Sequence, residues 1–564
     1  MGQLRRLARG ILPWRLRAWV LRLLGRDDLG LNTWHASGNL ELPREGEVVE
    51  GDSLAISGWA WLQGRAPARV EVSIDGVSVG RAAIRVPRPD LAALPGGGFG
   101  PLAGFDYRGP IPASAGEAIE ITVALEAYDG ERVCLPSRTV RRSARACTAE
   151  ETARAETLRD RTEEVIKRVG RHPRHDGFRL LVFTHSLSLG GGELYLSELL
   201  RQLAPDLRGC TVVSPTDGEL RARLESWGLE VVVTEHTWSR DVETYEGRNR
   251  ELSLFILGME PDLILLNTLG AWPAGDAAQR LGIPTIWAIH ESFELDHWLE
   301  AALGRRDWHP YLKERLIATL AGADRLIFEA EATSRLFAPY SEPHRRRVVR
   351  YGVDVGGISR FQQTLSRSAA RAELGIGEHE VVLLSVGVIG LRKASACLIE
   401  AFIAVAAGHP EATLVMVGDE PGQYSEVLHE LIDTARLGRR LRLLPTTPDI
   451  WSWYASSDVL VLASDIESLP RSMLEAMAFG VPCLSTDVFG VPEVIEDGRN
   501  GWLFPPRDMV AMVAALTRVL EVPPDERRAA GEACRAEAAR DHRSEGYVVA
   551  YRQMFAELTP LQAP

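Results

Sequence analysis

Two carboxylates near the C-terminal end of the chain, Glu467 and Glu475, stand eight positions apart in the stretch SDIESLPRSMLEAMAFGVPCLSTDVFGVPEVIEDGRNGWLF, residues 464–504. The apolar run at 458–463 just before them reads as a buried parallel strand. Leu469-Pro470 stands where a helix starts, residues 473–478 are strong helix formers, and Gly480 with Pro482 ends the helix. In an open parallel sheet, ligands bind at the carboxyl ends of the strands. Glu467 therefore belongs at the mouth of a crevice, and Glu475 about two helical turns along. Two acids so placed can accept hydrogen bonds from hydroxyls on two separate parts of one ligand.

Three further groups fall at strand ends. Arg392 and Lys393 follow the run VVLLSVG, and two cations there suit a diphosphate that gains charge as it leaves; the plain alternative is a solvated basic pair. His290, followed by Glu291, ends the run TIWAIH; it is either a polar group aimed at a ligand or a structural histidine. Gly190-Gly191-Gly192 lies between a strand and a helix, where backbone N–H groups can approach an anion and a Cβ would obstruct it. A tight strand-to-helix turn would need the same glycines. The dinucleotide fingerprint G-x-G-x-x-G is not matched here. No Asp-x-Asp occurs in the chain, so a common way of holding a metal on a diphosphate is missing, and the two cations can neutralise a leaving group instead.

These groups need a scaffold, and the hydrophobic pattern supplies one. From Phe178 onward strands and amphipathic helices alternate, with strands expected in the run RLLVFTHS (179–186) and at 210–213, 229–233, 263–267, 285–290 and 326–328. A second series places strands at 381–386, 413–417, 441–444, 459–463 and 483–486. Alternating units with apolar strands mean doubly wound parallel sheets. Two such α/β halves in tandem leave a crevice between them.

The segment ESLPRSMLEAMAFGVPCLSTDVFGVPEVIEDGRNGWLF closely resembles the Glu-x7-Glu signature of the family 4 retaining glycosyltransferases, which have the two-Rossmann GT-B fold. The resemblance spans about residues 178–558. It implies that Glu467 contacts hydroxyls of a donor sugar and that Glu475 holds the ribose of a nucleotide. It implies that His290 approaches the sugar, that Gly190 and Gly191 lie beside the diphosphate, and that Gly490 and Val491 offer backbone contacts near sugar and pyrophosphate. Glu493 is either part of that loop or a cap for the short helix there. Departures are visible: Gly192 stands where the family has Ala, Val388 where many members have Arg, and Ala394 where the variant "RKG" has Gly. Lys393 is retained, and Arg392 beside it matches that variant.

Outside this region the chain changes character. Length alone calls for several cores, since 564 residues exceed one domain. Apolar content of 45%, charged content of 25% and a net charge of -13 describe a globular protein and speak against a nucleic-acid binder. The six scattered cysteines form no C-x-x-C pair, which fits reduced thiols in the cytoplasm. No apolar run has the length of a membrane span. Residues 1–26 carry Arg5, Arg6, Arg9, Arg15, Arg17, Arg22 and Arg26 without one acid, and Leu16, Trp19, Val20, Leu23 and Leu24 recur at helical spacing. Such a basic amphipathic helix lies in an anionic membrane interface, or docks on another part of the chain.

Between residues 40 and 140 short alternating strands with Asp75-Gly76 and Asp129-Gly130 turns indicate a β-sandwich. It resembles the accessory β-domain of some polysaccharide-assembly glycosyltransferases, with Ser57-Gly58-Trp59, Arg88-Pro89-Asp90 and Gly104-Phe105 as the points of likeness. A spacer or carbohydrate-binding role stands beside a purely architectural one. Residues 148–169, opened by the capping box Thr148-x-x-Glu151, read as a solvent-facing linker helix.

The expected order is thus a basic segment (1–38), a β-sandwich (39–145), a linker (146–176), an acceptor-side Rossmann-like domain (177–366), a nucleotide-sugar domain (367–525) and C-terminal helices (526–564) packing back on the first Rossmann-like domain. The expected activity is retaining, metal-independent transfer of a hexose from a UDP- or GDP-sugar to a glycan or lipid-linked acceptor, with no cofactor. It would take place in the cytoplasm or on the inner face of the cytoplasmic membrane, in surface polysaccharide assembly. Two alternatives stand beside it: a non-catalytic sugar-binding protein on the same fold, and another GT-B enzyme such as an epimerase.

Overall fold

The computed structural model describes residues 36–62, 64–92, 100–143, 148–169, 178–207, 209–234, 239–303 and 309–559. The basic segment 1–26 lies outside them.

Residues 178–348 form a seven-stranded parallel sheet. From one edge its strands are Glu230–Val233, Gly209–Ser214, Arg179–Phe183, Leu263–Asn267, Thr285–Ile289, Arg325–Phe328 and Arg346–Val348. The three middle strands Arg179–Phe183, Leu263–Asn267 and Thr285–Ile289 are almost wholly buried, as apolar runs covered by helices on both faces must be. A second parallel sheet has the order Leu441–Pro445, Ala412–Asp419, Val381–Val386, Val459–Leu462, Cys483–Thr486 and Gly501–Phe504. Two edge strands were not foreseen. Arg346–Val348 is three residues long and carries two arginines, and Gly501–Phe504, though apolar, is only four residues long and directly follows the turn residues at 497–500, so neither stands out as a strand.

Residues 36–143 form two sheets that face each other over one core. One runs Ala36–Leu42, Ser53–Leu62, Gly104–Pro110, Ala83–Val86; the other Val48–Glu50, Arg138–Ser143, Ala118–Glu126, Arg69–Ile74, Val77–Arg81, with Arg132–Cys134 paired to Ala118–Glu126. Burial alternates strictly along Ser53–Leu62, the period-two pattern of a half-buried strand. Both Asp75 and Gly76 have positive φ, as a tight hairpin between Arg69–Ile74 and Val77–Arg81 requires. The points of likeness in this domain are structural. Gly58 lies beneath Phe105, where a Cβ would sit 2.6 Å from the ring, and Arg88 clamps Glu41 with two hydrogen bonds of 2.9 and 3.0 Å.

Two expectations are corrected. The helix Ala149–Val169 is not a free linker. Its capping box forms as expected, with Thr148 N donating to Glu151 at 2.8 Å and Glu151 N to the Thr148 hydroxyl at 3.2 Å. However, Ala155, Thr162 and Ile166 are buried, and the helix packs along Val242–Met259, where Thr162 Oγ1 bonds the Glu246 carbonyl. One apolar or small residue per turn is enough for docking, though too sparse to register as an amphipathic stripe. The last two helices also part company. Pro524–Asp541 packs on Arg471–Phe479 of the second half, whereas Ser544–Leu558 returns to the first, against Gly191–Leu203. There the Tyr195 and Tyr551 hydroxyls are 2.8 Å apart and Phe178 meets Phe555.

Candidate functional site

The carboxyl edges of the two sheets meet. His290 follows the strand Thr285–Ile289 and Glu329 follows Arg325–Phe328; because Ile289 pairs with Phe328, the next residues emerge side by side. His290 Nδ1 lies 2.7 Å from Glu329, and Nε2 lies 2.9 Å from Oδ1 of Asn267, at the end of the strand on its other side. The Tyr195 ring stands edge-on to the imidazole at 4.7 Å. Burial opposes a charged imidazole, but the Glu329 carboxylate outweighs it and holds the His290 pKa above its ordinary value. Asn267 also donates to the Gly192 carbonyl at 3.2 Å, so the glycine loop and His290 share one anchor. At Gly192 a Cβ would stand 3.1 Å from the His290 ring, a physical reason for Gly where the family has Ala. Gly190 caps the helix Gly191–Leu203 in an extended conformation, and Gly191 faces open space. Glu291 is structural: its carboxylate accepts from the backbone of Leu269 (2.9 Å) and of His290 (3.1 Å).

Across the crevice, Lys393 and Arg392 both pair with Glu467, Arg392 at 3.3 Å, and Arg392 also donates to the Ile466 carbonyl at 2.7 Å. Glu467 is buried. Desolvation pushes its pKa up, yet Lys393 and Arg392 prevail and hold it below the usual carboxylate value. Ala394, where the variant has Gly, adopts a left-handed conformation with φ 50°, which is the reason Gly is favoured at that position.

Glu475 has a different set of partners. It accepts from Arg471 Nε at 2.8 Å, and Arg471 reaches the first half with a bidentate bond to Glu198 of 2.9 and 2.7 Å. Glu198, Arg471 and Glu475, with Trp227 and Trp451, line a cavity of about 210 Å³ between the halves. The sequence reading passed over Arg471, Glu198, Glu329 and Asn267. Only Arg471 had a local signal, its place four residues before Glu475 on one helix face.

Gly490 and Val491 shape the crevice wall. The Gly490 amide donates to Ser468 O at 3.0 Å, and the Val491 amide to Val488 O at 3.0 Å, so both expected backbone donors are engaged internally. A Cβ on Gly490 would lie 2.2 Å from the Ser468 carbonyl and 2.6 Å from Ala330 of the first half; only Gly permits that approach. Nearby, Glu493 accepts from the amides of Glu331 and Ala332 at 3.0 and 2.8 Å, so it caps a helix of the opposite half and not its own.

A family model described as "Glycosyltransferase Family 4" matches residues 189–357, and one described as "Glycosyl transferases group 1" matches residues 366–537. A D-inositol 3-phosphate glycosyltransferase of Streptomyces bingchenggensis is 30% identical over 379 residues, 60% of this chain and 80% of that protein. Among solved structures, Anabaena HepE in complex with UDP-glucose aligns with a TM-score of 0.54 and 22% identity over 67% of this chain and 98% of its own. A sucrose-phosphate synthase of Thermosynechococcus elongatus aligns with a TM-score of 0.56 and 19% identity over 68% and 99%. These likenesses share the GT-B arrangement of two Rossmann-like halves.

Proposed function

The chain belongs to the family 4 glycosyltransferases, and from that premise we propose a retaining enzyme that moves a hexose-type sugar from a UDP- or GDP-sugar to a glycan or lipid-linked acceptor in surface polysaccharide assembly. The observation that carries this reading is the cluster of Lys393, Arg392 and Glu467 at one carboxyl edge, opposed by His290 and Glu329 at the other.

In the free protein Glu467 neutralises the two cations. An incoming diphosphate is a stronger claimant for them, because its charge grows as the bond to the anomeric carbon breaks. Their transfer to the phosphates releases Glu467 to accept a hydrogen bond from a sugar hydroxyl. The acceptor hydroxyl then forms the new C–O bond on the face the diphosphate leaves. Its proton passes to the departing phosphate oxygen, so the configuration is retained without a protein nucleophile. His290, oriented by Glu329 and Asn267, faces the sugar. Glu475 takes the ribose, and Gly490 with Val491 walls the site; of the glycine loop, the Gly191 N–H faces the diphosphate, since the Gly190 N–H donates to the Ser188 carbonyl at 3.0 Å. With two cations at the leaving group, no metal is required.

The test is slow donor hydrolysis across a panel of UDP- and GDP-sugars, beginning with UDP-glucose, the ligand of the HepE structure. Turnover that survives EDTA and leaves the α-configured sugar supports the reading. Failure of every donor, or activity abolished by EDTA and restored by magnesium or manganese, defeats the corresponding part.

A further inference from the structure

The loop that carries Glu467 is braced from the β domain. Asp465, two residues before Glu467, has a side chain only 6% exposed and receives Arg507 Nε at 3.0 Å. Arg507 belongs to the turn that enters the helix Met509–Glu521, and its guanidinium also donates to the carbonyl of Arg81, in the β-domain strand Val77–Arg81. Arg507 itself has φ 56°, the left-handed region that a long side chain adopts only when its surroundings hold it there. Asp508, the next residue, caps that helix through Ala511 N at 2.9 Å and pairs with two β-domain arginines, Arg69 at 2.7 Å and Arg81 at 3.0 Å. The backbone joins in: Met509 N donates to Ala68 O at 3.2 Å. On the loop side, the Asp465 amide bonds Arg392 O at 2.8 Å while the Arg392 side chain bonds Ile466 O. A continuous path therefore runs from the β domain through Arg507 and Asp465 to Arg392 and Glu467.

The rest of the β-domain contact is built to resist movement. Arg85, 2% exposed, bonds Glu400 of the second half at 2.6 Å, Pro67 O at 2.8 Å and Tyr128 at 2.7 Å. Apolar residues of both domains share one core there, including Ile84, Cys397 and Met509. Breaking such a contact would leave a buried charge unpaired.

We infer that Arg507 and Asp465 are positioning residues through which the β domain fixes the Glu467 loop, making that domain a working part of the donor site. This rests on the proposed role of Glu467, but its first test does not. In amide hydrogen exchange on the full chain, residues 464–470 should exchange at least tenfold faster in Arg507→Ala and in the double variant Arg69→Ala/Arg81→Ala, which loosens the β domain's hold on Asp508. Arg507→Lys should restore part of the protection. Arg518→Ala, on the same helix Met509–Glu521 but removing only a surface pair with Asp497, should leave the loop unchanged. Unchanged exchange in both loosening variants overturns the inference, and so does equal loosening in Arg518→Ala.

The second readout is kinetic. With UDP-glucose or whichever sugar nucleotide the wild type hydrolyses, Arg507→Ala should lose at least tenfold in kcat while its affinity for the free nucleotide stays within twofold. A matching loss of nucleotide affinity overturns the assignment to the sugar end of the site. A wild-type chain that hydrolyses no donor defeats the functional reading, and the exchange experiment still decides the coupling.

Discussion

His290 Nδ1 lies 2.7 Å from a Glu329 oxygen although 39 positions separate the two residues in sequence, because each is the first residue beyond one of two adjacent parallel strands. Glu329 is the reason the His290 pKa stands above its ordinary value despite burial. In Glu329→Gln the largest charge opposing burial is gone and only those of Glu291 and Glu193 still resist it, so the His290 pKa should fall. The sign for stability follows. A raised histidine pKa adds stability that is complete below about pH 6.5 and is lost as pH rises through the folded-state value. The wild type should show that decline, and Glu329→Gln should show less of it. An NMR titration of His290 with the same midpoint in both proteins would refute the pairing.

Glu475→Gln should weaken nucleotide binding by about 1–3 kcal/mol, the worth of a hydrogen bond to a charged group. Glu198→Gln, which removes the far end of the Arg471 bridge, should instead weaken the contact between the two halves and leave the ribose acceptor in place. Calorimetry with UDP and GDP separates the two. Unchanged affinity in Glu475→Gln counts against its ribose role.

Lys393→Met leaves buried Glu467 with Arg392 alone. The cost to stability should be about 1–3 kcal/mol. The lowered pKa of Glu467 means that its pairing stabilises the fold above about pH 4.5 and stops doing so as pH falls through the folded-state value. The acid limb of unfolding should therefore move to higher pH in the variant. Donor hydrolysis should drop by at least a hundredfold, about 2.7 kcal/mol of transition-state stabilisation. Activity near wild type would remove Lys393 from the leaving-group role.

The segment 1–26 should bring the protein to anionic membranes. Each of its arginines gains on the order of 1 kcal/mol near such a surface, and the attraction is screened over about 10 Å at 0.1 M salt. Vesicle co-sedimentation of the full chain should rise with anionic lipid and fall steeply with salt, and a chain beginning near residue 40 should stay in solution. Equal sedimentation of both chains would make the segment an internal docking helix.

Local pattern was enough to determine the two α/β halves of this protein. Apolar runs such as Val381–Val386 and Thr285–Ile289, short and alternating with longer amphipathic stretches, read as strands of a parallel sheet, and Gly480 and Pro482 close the helix after Glu475. The residues at strand ends, His290, Lys393, Arg392 and Glu467, were legible for the same reason, because a parallel sheet sends its carboxyl ends to one side. Their partners were not. Glu329 and Asn267 reach His290 through strand order, which depends on which strands become neighbours and leaves no mark in sequence spacing. Arg471 bridging to Glu198, Glu493 capping a helix of the other half, and Arg507 joining Arg81 to Asp465 all arise where separately folded units touch. Such contacts are set by the shapes of whole domains, so only the tertiary structure could decide them.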